Sequence, residues 1–93
     1  RELKNKNMKK EGYTYIIVES YLPRNMSGLH GPVHIRPIKG QEPFMDTYHV
    51  ECSKKLKEDY PVGTKFRIRA KVTQLLDGAK YVYSHHKWEF EVL

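Results

Sequence analysis

The sequence predicts a mainly β fold: a small five-stranded barrel with one short helix between strands three and four. Three observations carry that reading. Five segments are rich in β-branched and aromatic residues or alternate apolar with polar ones. Loops bounded by proline and glycine separate several of them. One helix-tolerant stretch, Ser53–Tyr60, falls between the third segment and the fourth.

Residues 1–11 (RELKNKNMKKE) are polar, basic and without period, and are expected to form a flexible arm ahead of a single domain over 12–93. Tyr13–Leu22 (YTYIIVESYL) reads as strand one, with Tyr13, Tyr15 and Ile17 on one face and Ile16, Val18 and Leu22 on the other. Apolar residues on both faces suggest cover on both sides. A loop follows over Pro23–Pro32. Val33–Ile38 (VHIRPI) alternates and forms strand two, an edge, because Pro37 has no N–H to donate to a ladder. After a loop at Lys39–Asp46, Thr47–Cys52 (TYHVEC) is strand three, with Tyr48, Val50 and Cys52 on one face.

Ser53 is a good helix N-cap and Pro61 stops the run, so Ser53–Tyr60 is one or two helical turns with Leu56 inward. Pro61-Val62-Gly63-Thr64 turns the chain into Lys65–Thr73 (KFRIRAKVT), where Phe66, Ile68, Ala70 and Val72 alternate with Lys65, Arg67, Arg69 and Lys71. Asp77-Gly78 marks a hairpin turn. Lys80–Leu93 returns as a long strand, with a break near Ser84-His85-His86.

The order strand, strand, strand, helix, strand, strand over residues 13–93 resembles the OB-fold, a five-stranded Greek-key barrel. The resemblance is architectural and rests on no diagnostic motif. An SH3-like barrel satisfies the same order.

Composition narrows the function classes. The chain has 93 residues, 39% hydrophobic and 12% aromatic, as a folded domain does, and seven of its aromatics are tyrosines. One cysteine rules out an internal disulfide framework. No apolar run is long enough to span a membrane and no apolar leader follows the charged start, so a cytoplasmic location is expected. The net charge is +6, but Arg1, Lys4, Lys6, Lys9 and Lys10 against Glu2 account for +4 of it, leaving +2 on residues 11–93. The global charge is therefore a weak pointer to a polyanionic partner, and the distribution within the domain matters more.

That distribution depends on the register of the last hairpin. A three-residue loop, Leu76-Asp77-Gly78, sets Val72 opposite Val82, Ala70 opposite Ser84, Ile68 opposite His86 and Phe66 opposite Trp88. On the other face Lys71 meets Tyr83, Arg69 meets His85, Arg67 meets Lys87 and Lys65 meets Glu89. A two-residue Asp77-Gly78 loop would instead turn Tyr81, Tyr83 and His85 toward Val72 and Ala70. Trp88, Phe90 and Val92 could then rejoin the core only through a bulge. The three-residue loop is preferred because it needs no bulge.

In that register Lys65, Arg67, Arg69, Lys71, Tyr81, Tyr83, His85 and Lys87 share one face, with Arg36 on strand two as an extension. Cations that track phosphates, interleaved with rings on which bases stack, are what a nucleic acid needs. The expected function is a non-catalytic domain that contacts single-stranded or duplex nucleic acid with little sequence specificity. An ordinary solvated strand face with edge-protecting lysines fits the same pattern and is the commoner case. Glu89 and Glu91 on the same face would reduce its charge.

A second expectation is a protein-interaction module or small subunit, using loop residues Met26, Leu29, Phe44 and Met45. Arg24, Asn25, Ser27 and His30 in the first loop, with His34 beside Arg36, would flank the binding face by fold analogy. Neither metal nor cofactor is expected: His49 and Cys52 point to opposite faces of a continuous strand, and no CxxC or helical HxxxH pattern joins His30, His34, His85 or His86. Cys52, in line with Tyr48 and Val50, reads as a small buried hydrophobe rather than a nucleophile. An enzyme would need a pocket holding two of His34, His49, Cys52 and His85.

Overall fold

The computed structural model describes residues 12–24 and 33–93. The expected arm at 1–11 lies outside these residues. So does most of the first loop, including Asn25, Met26, Ser27, Leu29 and His30. Six strands and one helix run in the order β1 (Thr14–Tyr21), β2 (His34–Pro37), β3 (Val50–Glu51), α1 (Lys55–Glu58), β4 (Lys65–Gln74), β5 (Lys80–Tyr83) and β6 (Glu91–Val92). They form a nearly closed five-stranded barrel with one short helix, the predicted fold class. No helix of the described residues is long and apolar enough to cross a membrane.

The ladder runs β2-β1-β4-β5-β3, with β2 at the edge as Pro37 requires, and β2 then approaches β3 without a ladder between them. All the pairings are antiparallel except β3 with β5. β4 organises the barrel. Its first six residues pair with β1, Thr14 through Glu19 opposite Ala70 through Lys65, and its last four pair with β5. The alternation of β4 puts Phe66, Ile68 and Ala70 in the core beside Ile16, Val18, Ile35, Phe44, Val50, Leu56 and Val82. Tyr60, Phe66 and Phe90 pack edge to face, with centroids 5.3 to 6.0 Å apart, so aromatic edges fill the space beside α1.

α1 is a single turn with Leu56 buried, as expected. Lys54 occupies the N-cap position rather than Ser53, yet the Ser53 hydroxyl accepts the Lys55 N–H at 3.2 Å. β1 is covered on one face only: Tyr15 is 54% exposed, and Leu22 is 50% exposed because the strand ends at Tyr21. Its inward position at that end is Ser20. The Ser20 N–H donates to the Thr64 carbonyl, and its own carbonyl and hydroxyl both accept from the Gly63 N–H. Gly63 adopts φ +98°, which an L side chain rarely does.

The last hairpin has the three-residue loop. Lys71, Val72, Thr73 and Gln74 stand opposite Tyr83, Val82, Tyr81 and Lys80. The Gly78 N–H closes a turn onto the Leu75 carbonyl at 3.0 Å, with Gly78 at φ +94°. The return strand breaks near Ser84-His85-His86, as expected, but the register beyond the break is corrected. β5 stops at Tyr83, residues His85–Trp88 turn aside with the Trp88 N–H on the His85 carbonyl, and β6 resumes with Phe66 opposite Val92 and Arg67 opposite Glu91. The expected pairs of Phe66 with Trp88, Ile68 with His86, Arg69 with His85, Arg67 with Lys87 and Lys65 with Glu89 are therefore not formed. The shift in register is even. It changes every partner and preserves which residues face outward.

Candidate nucleic-acid interface

The outer surface of the β2-β1-β4-β5 sheet carries all nine predicted residues on or beside it, yet it does not form one continuous basic track. Four strands supply it by alternation. β4 presents Lys65, Arg67, Arg69 and Lys71; β1 presents Tyr15, Ile17, Glu19 and Tyr21; β5 presents Tyr81 and Tyr83. β2 brings Arg36 opposite Glu19.

One half is largely charge-compensated. Glu19 accepts from the Arg36 Nε at 2.9 Å with one carboxylate oxygen and lies 3.7 Å from the Lys65 ammonium with the other. The Arg67 guanidinium is 2.7 Å from the Glu91 carboxylate. Arg36 also covers the Tyr21 ring, 4.0 Å from its centroid. Three positive charges thus stand against two negative ones, Glu19 being shared, so the net field offered to an incoming phosphate is reduced rather than abolished.

The other half is basic and aromatic. Tyr15 stands directly opposite Arg69, whose guanidinium hydrogen-bonds the Tyr15 hydroxyl and lies 4.8 Å from its ring centroid. Lys71 sits over Tyr13 at 5.0 Å. Among the described residues no carboxylate forms an ion pair with Arg69 or Lys71. Tyr13 meets Trp88 edge to face, with centroids 4.8 Å apart and planes at 89°, and lies 6.4 Å from Tyr83. His85 stacks on His86 at 4.7 Å and is tilted against Trp88 at 5.7 Å. Tyr13, Tyr83, His85, Lys87 and Trp88 line a hollow of about 400 Å³. An adjoining hollow of about 310 Å³ is lined by Tyr15, Arg69, Lys87, Trp88 and Glu89. Burial, and behind it the phenols of Tyr83 and Tyr81, push the Tyr13 hydroxyl up from its usual value, so it remains a neutral phenol at neutral pH.

Of the predicted residues, Arg69, Lys71, Tyr83, His85 and Lys87 come together here. Arg36, Lys65 and Arg67 lie in the partly compensated half, and Tyr81 lies further along β5, opposite Thr73. Tyr13, Tyr15 and Trp88 were not assigned to the site from sequence. Strand alternation sets Tyr13 and Tyr15 opposite Ile16 and Val18, and that was the available signal. Trp88 carried a misleading one: parity along an unbroken strand turned it inward against Phe66, whereas the His85–Trp88 turn carries it onto Tyr13.

The remaining candidates separate. Phe44 is buried in the core, so the proposed apolar loop patch loses one member, and Met26 and Leu29 lie outside the described residues. His34 lies edge-on to Tyr21 at 6.0 Å, and His49 pairs with Glu51 at 3.2 Å. Among the described residues no three His, Cys, Asp or Glu side chains converge as metal ligands. Burial pushes the Cys52 thiol up to about 12, with Lys57 lowering it and Glu51 raising it, so no thiolate forms near neutral pH. No protein-family model, no curated protein and no solved structure matches the chain.

Proposed function

We propose that this barrel is a non-catalytic domain that binds nucleic acid with little sequence specificity through the outer face of β1, β4 and β5. One observation carries the reading. Arg69 and Lys71, with no described carboxylate pairing them, are set among the rings of Tyr13, Tyr15, Tyr83 and Trp88. Cations supply a salt-dependent attraction to phosphates, and rings stack any base, which is why specificity is low. A β1 that pairs with both β2 and β4, and a helix between β3 and β4, favour the OB-like of the two barrel types. A cytoplasmic location fits the single free thiol of Cys52.

The test is a titration of labelled single- and double-stranded DNA and RNA at two salt concentrations, with and without residues 1–10. Affinity is expected to fall steeply with salt and to survive removal of the basic residues 1–10. An Arg69→Glu, Lys71→Glu double variant that binds as the parent does removes the proposal.

A second reading, contact with a protein partner, is favoured by Leu75 and Leu76, which are 50% and 108% exposed at the hairpin tip. Its signature is a salt-tolerant association abolished by Leu76→Ser.

A further inference from the structure

We infer that the hollow between Tyr13, Tyr83, His85 and Trp88 is a seat for one unpaired nucleobase, so that the domain selects single strands over duplex. The inference rests on the nucleic-acid reading above and deepens it. At about 400 Å³ the hollow falls within the ~300–1,000 Å³ usual for small-ligand sites. Four of its five lining residues are rings, held by contacts with one another rather than by an extended loop. Tyr13 braces Trp88 at 89°, and His85 packs against both His86 and Trp88. The Lys87 N–H donates to His85 Nδ1 at 3.0 Å, fixing the imidazole within the turn.

The surrounding charge identifies the occupant. Perpendicular rings can also cage an organic cation, but here Lys71 lies over Tyr13, Lys87 stands in the wall, and Arg69 lines the adjoining hollow. Glu89 opposes Arg69 and Lys87 in that hollow as one negative charge against two positive. A cationic guest is repelled, whereas a planar base joined to a phosphate satisfies rings and cations together. A duplex keeps its bases stacked inside and presents phosphates. The flat basic row that would receive those phosphates is the half tied up by Glu19 and Glu91. What remains accessible suits a base that has left its stack.

Trp88 is the single tryptophan of the chain and lines the seat, so its emission reports occupancy directly. The full chain is titrated with a mixed-sequence single strand of about eight nucleotides, within the ~4–16 nucleotide sites of such barrels. An abasic strand of equal length and a blunt duplex serve as comparisons, and anisotropy is recorded alongside Trp88 fluorescence. The single strand is expected to quench Trp88 and to bind at least about tenfold tighter than either comparison, the ratio one stacked base supplies. Tyr83→Leu is expected to weaken the single strand at least about fivefold while leaving the abasic strand unchanged. Should that variant fail to fold, His85→Ala serves in its place. Duplex or abasic strand binding within about twofold of the single strand, or single-strand binding with Trp88 emission unchanged, overturns the inference and leaves the broader function standing. Absence of binding by all three probes at low salt overturns both.

Discussion

Trp88 stands edge-on to Tyr13, with ring centroids 4.8 Å apart and planes at 89°. Tyr13 immediately precedes β1 and Trp88 ends the turn after β5, so the contact joins two distant parts of the chain near Lys71, where the pairing of β4 passes from β1 to β5. Such a pair contributes about 0.5–1.5 kcal/mol beyond the area it buries. Trp88→Leu is therefore expected to lower stability by about 1 kcal/mol, read as a shifted urea midpoint. In binding, the same change is expected to cost about tenfold in affinity for a single strand, as loss of one stacking ring implies. A stability loss with unchanged affinity would make Trp88 a purely structural residue.

The two halves of the outer face make opposite predictions for charge removal. Arg69→Ala or Lys71→Ala is expected to weaken binding and to reduce the slope of log affinity against log salt by about one each. Lys65→Ala and Arg67→Ala should change affinity by less than about twofold, because Glu19 and Glu91 already compensate those cations. Glu91→Gln releases Arg67 and is expected to raise affinity and steepen the salt dependence. Equal losses for Arg67→Ala and Arg69→Ala would contradict the division into halves.

Gln41 extends the barrel where β2 cannot. Beyond the Val18–Pro37 pair the Ile38 N–H still reaches the Ile17 carbonyl at 3.1 Å. The Gln41 side-chain amide then enters the ladder: its Oε1 accepts the Ile17 N–H at 2.7 Å, and its Nε2 donates to the carbonyls of Ile17 and Ile38 at 2.8 and 3.1 Å. Removing it leaves partly buried backbone groups unpaired, which costs about 1–3 kcal/mol. Gln41→Ala is expected to lose about that much in denaturant unfolding. Gln41→Glu, which keeps the acceptor and loses the donor, should also destabilise, whereas a neutral Gln41→Ala would show that water substitutes.

Cys52 gives a pH signature. Its folded thiol is raised to about 12 by burial, above the unfolded value, so the folded state holds the proton more tightly. The corresponding stability is fully present below pH ~8.5 and is lost as pH rises from there toward about 12. Chemical denaturation between pH 8 and 10.5 should show stability declining in the parent and a shallower decline in Cys52→Ala. Thiol labelling at pH 8 is expected to be at least about 100-fold slower in native than in unfolded chain. Rapid native labelling would show that the thiol is not held away from water.

Period-two alternation made much of this fold legible. Phe66, Ile68 and Ala70 had to share a face, Leu56 was the apolar residue available to a short helix before Pro61, and Gly78 could take the positive φ of a three-residue loop. Those are local properties of residue type and spacing, and the sequence by itself determined them. It also determined that Lys65, Arg67, Arg69 and Lys71 line up outward.

Which of those cations remain available was decided only by tertiary structure. Glu19 and Glu91 reach Lys65 and Arg67 through strand pairings between distant segments, and register between segments is not written in either one alone. The His85–Trp88 turn interrupts a stretch that alternates as though continuous. Because the interruption shifts register by an even number of residues, parity reads correctly on both sides of it and wrongly within it. Trp88 falls within it, and so does the corner of the site where the rings meet.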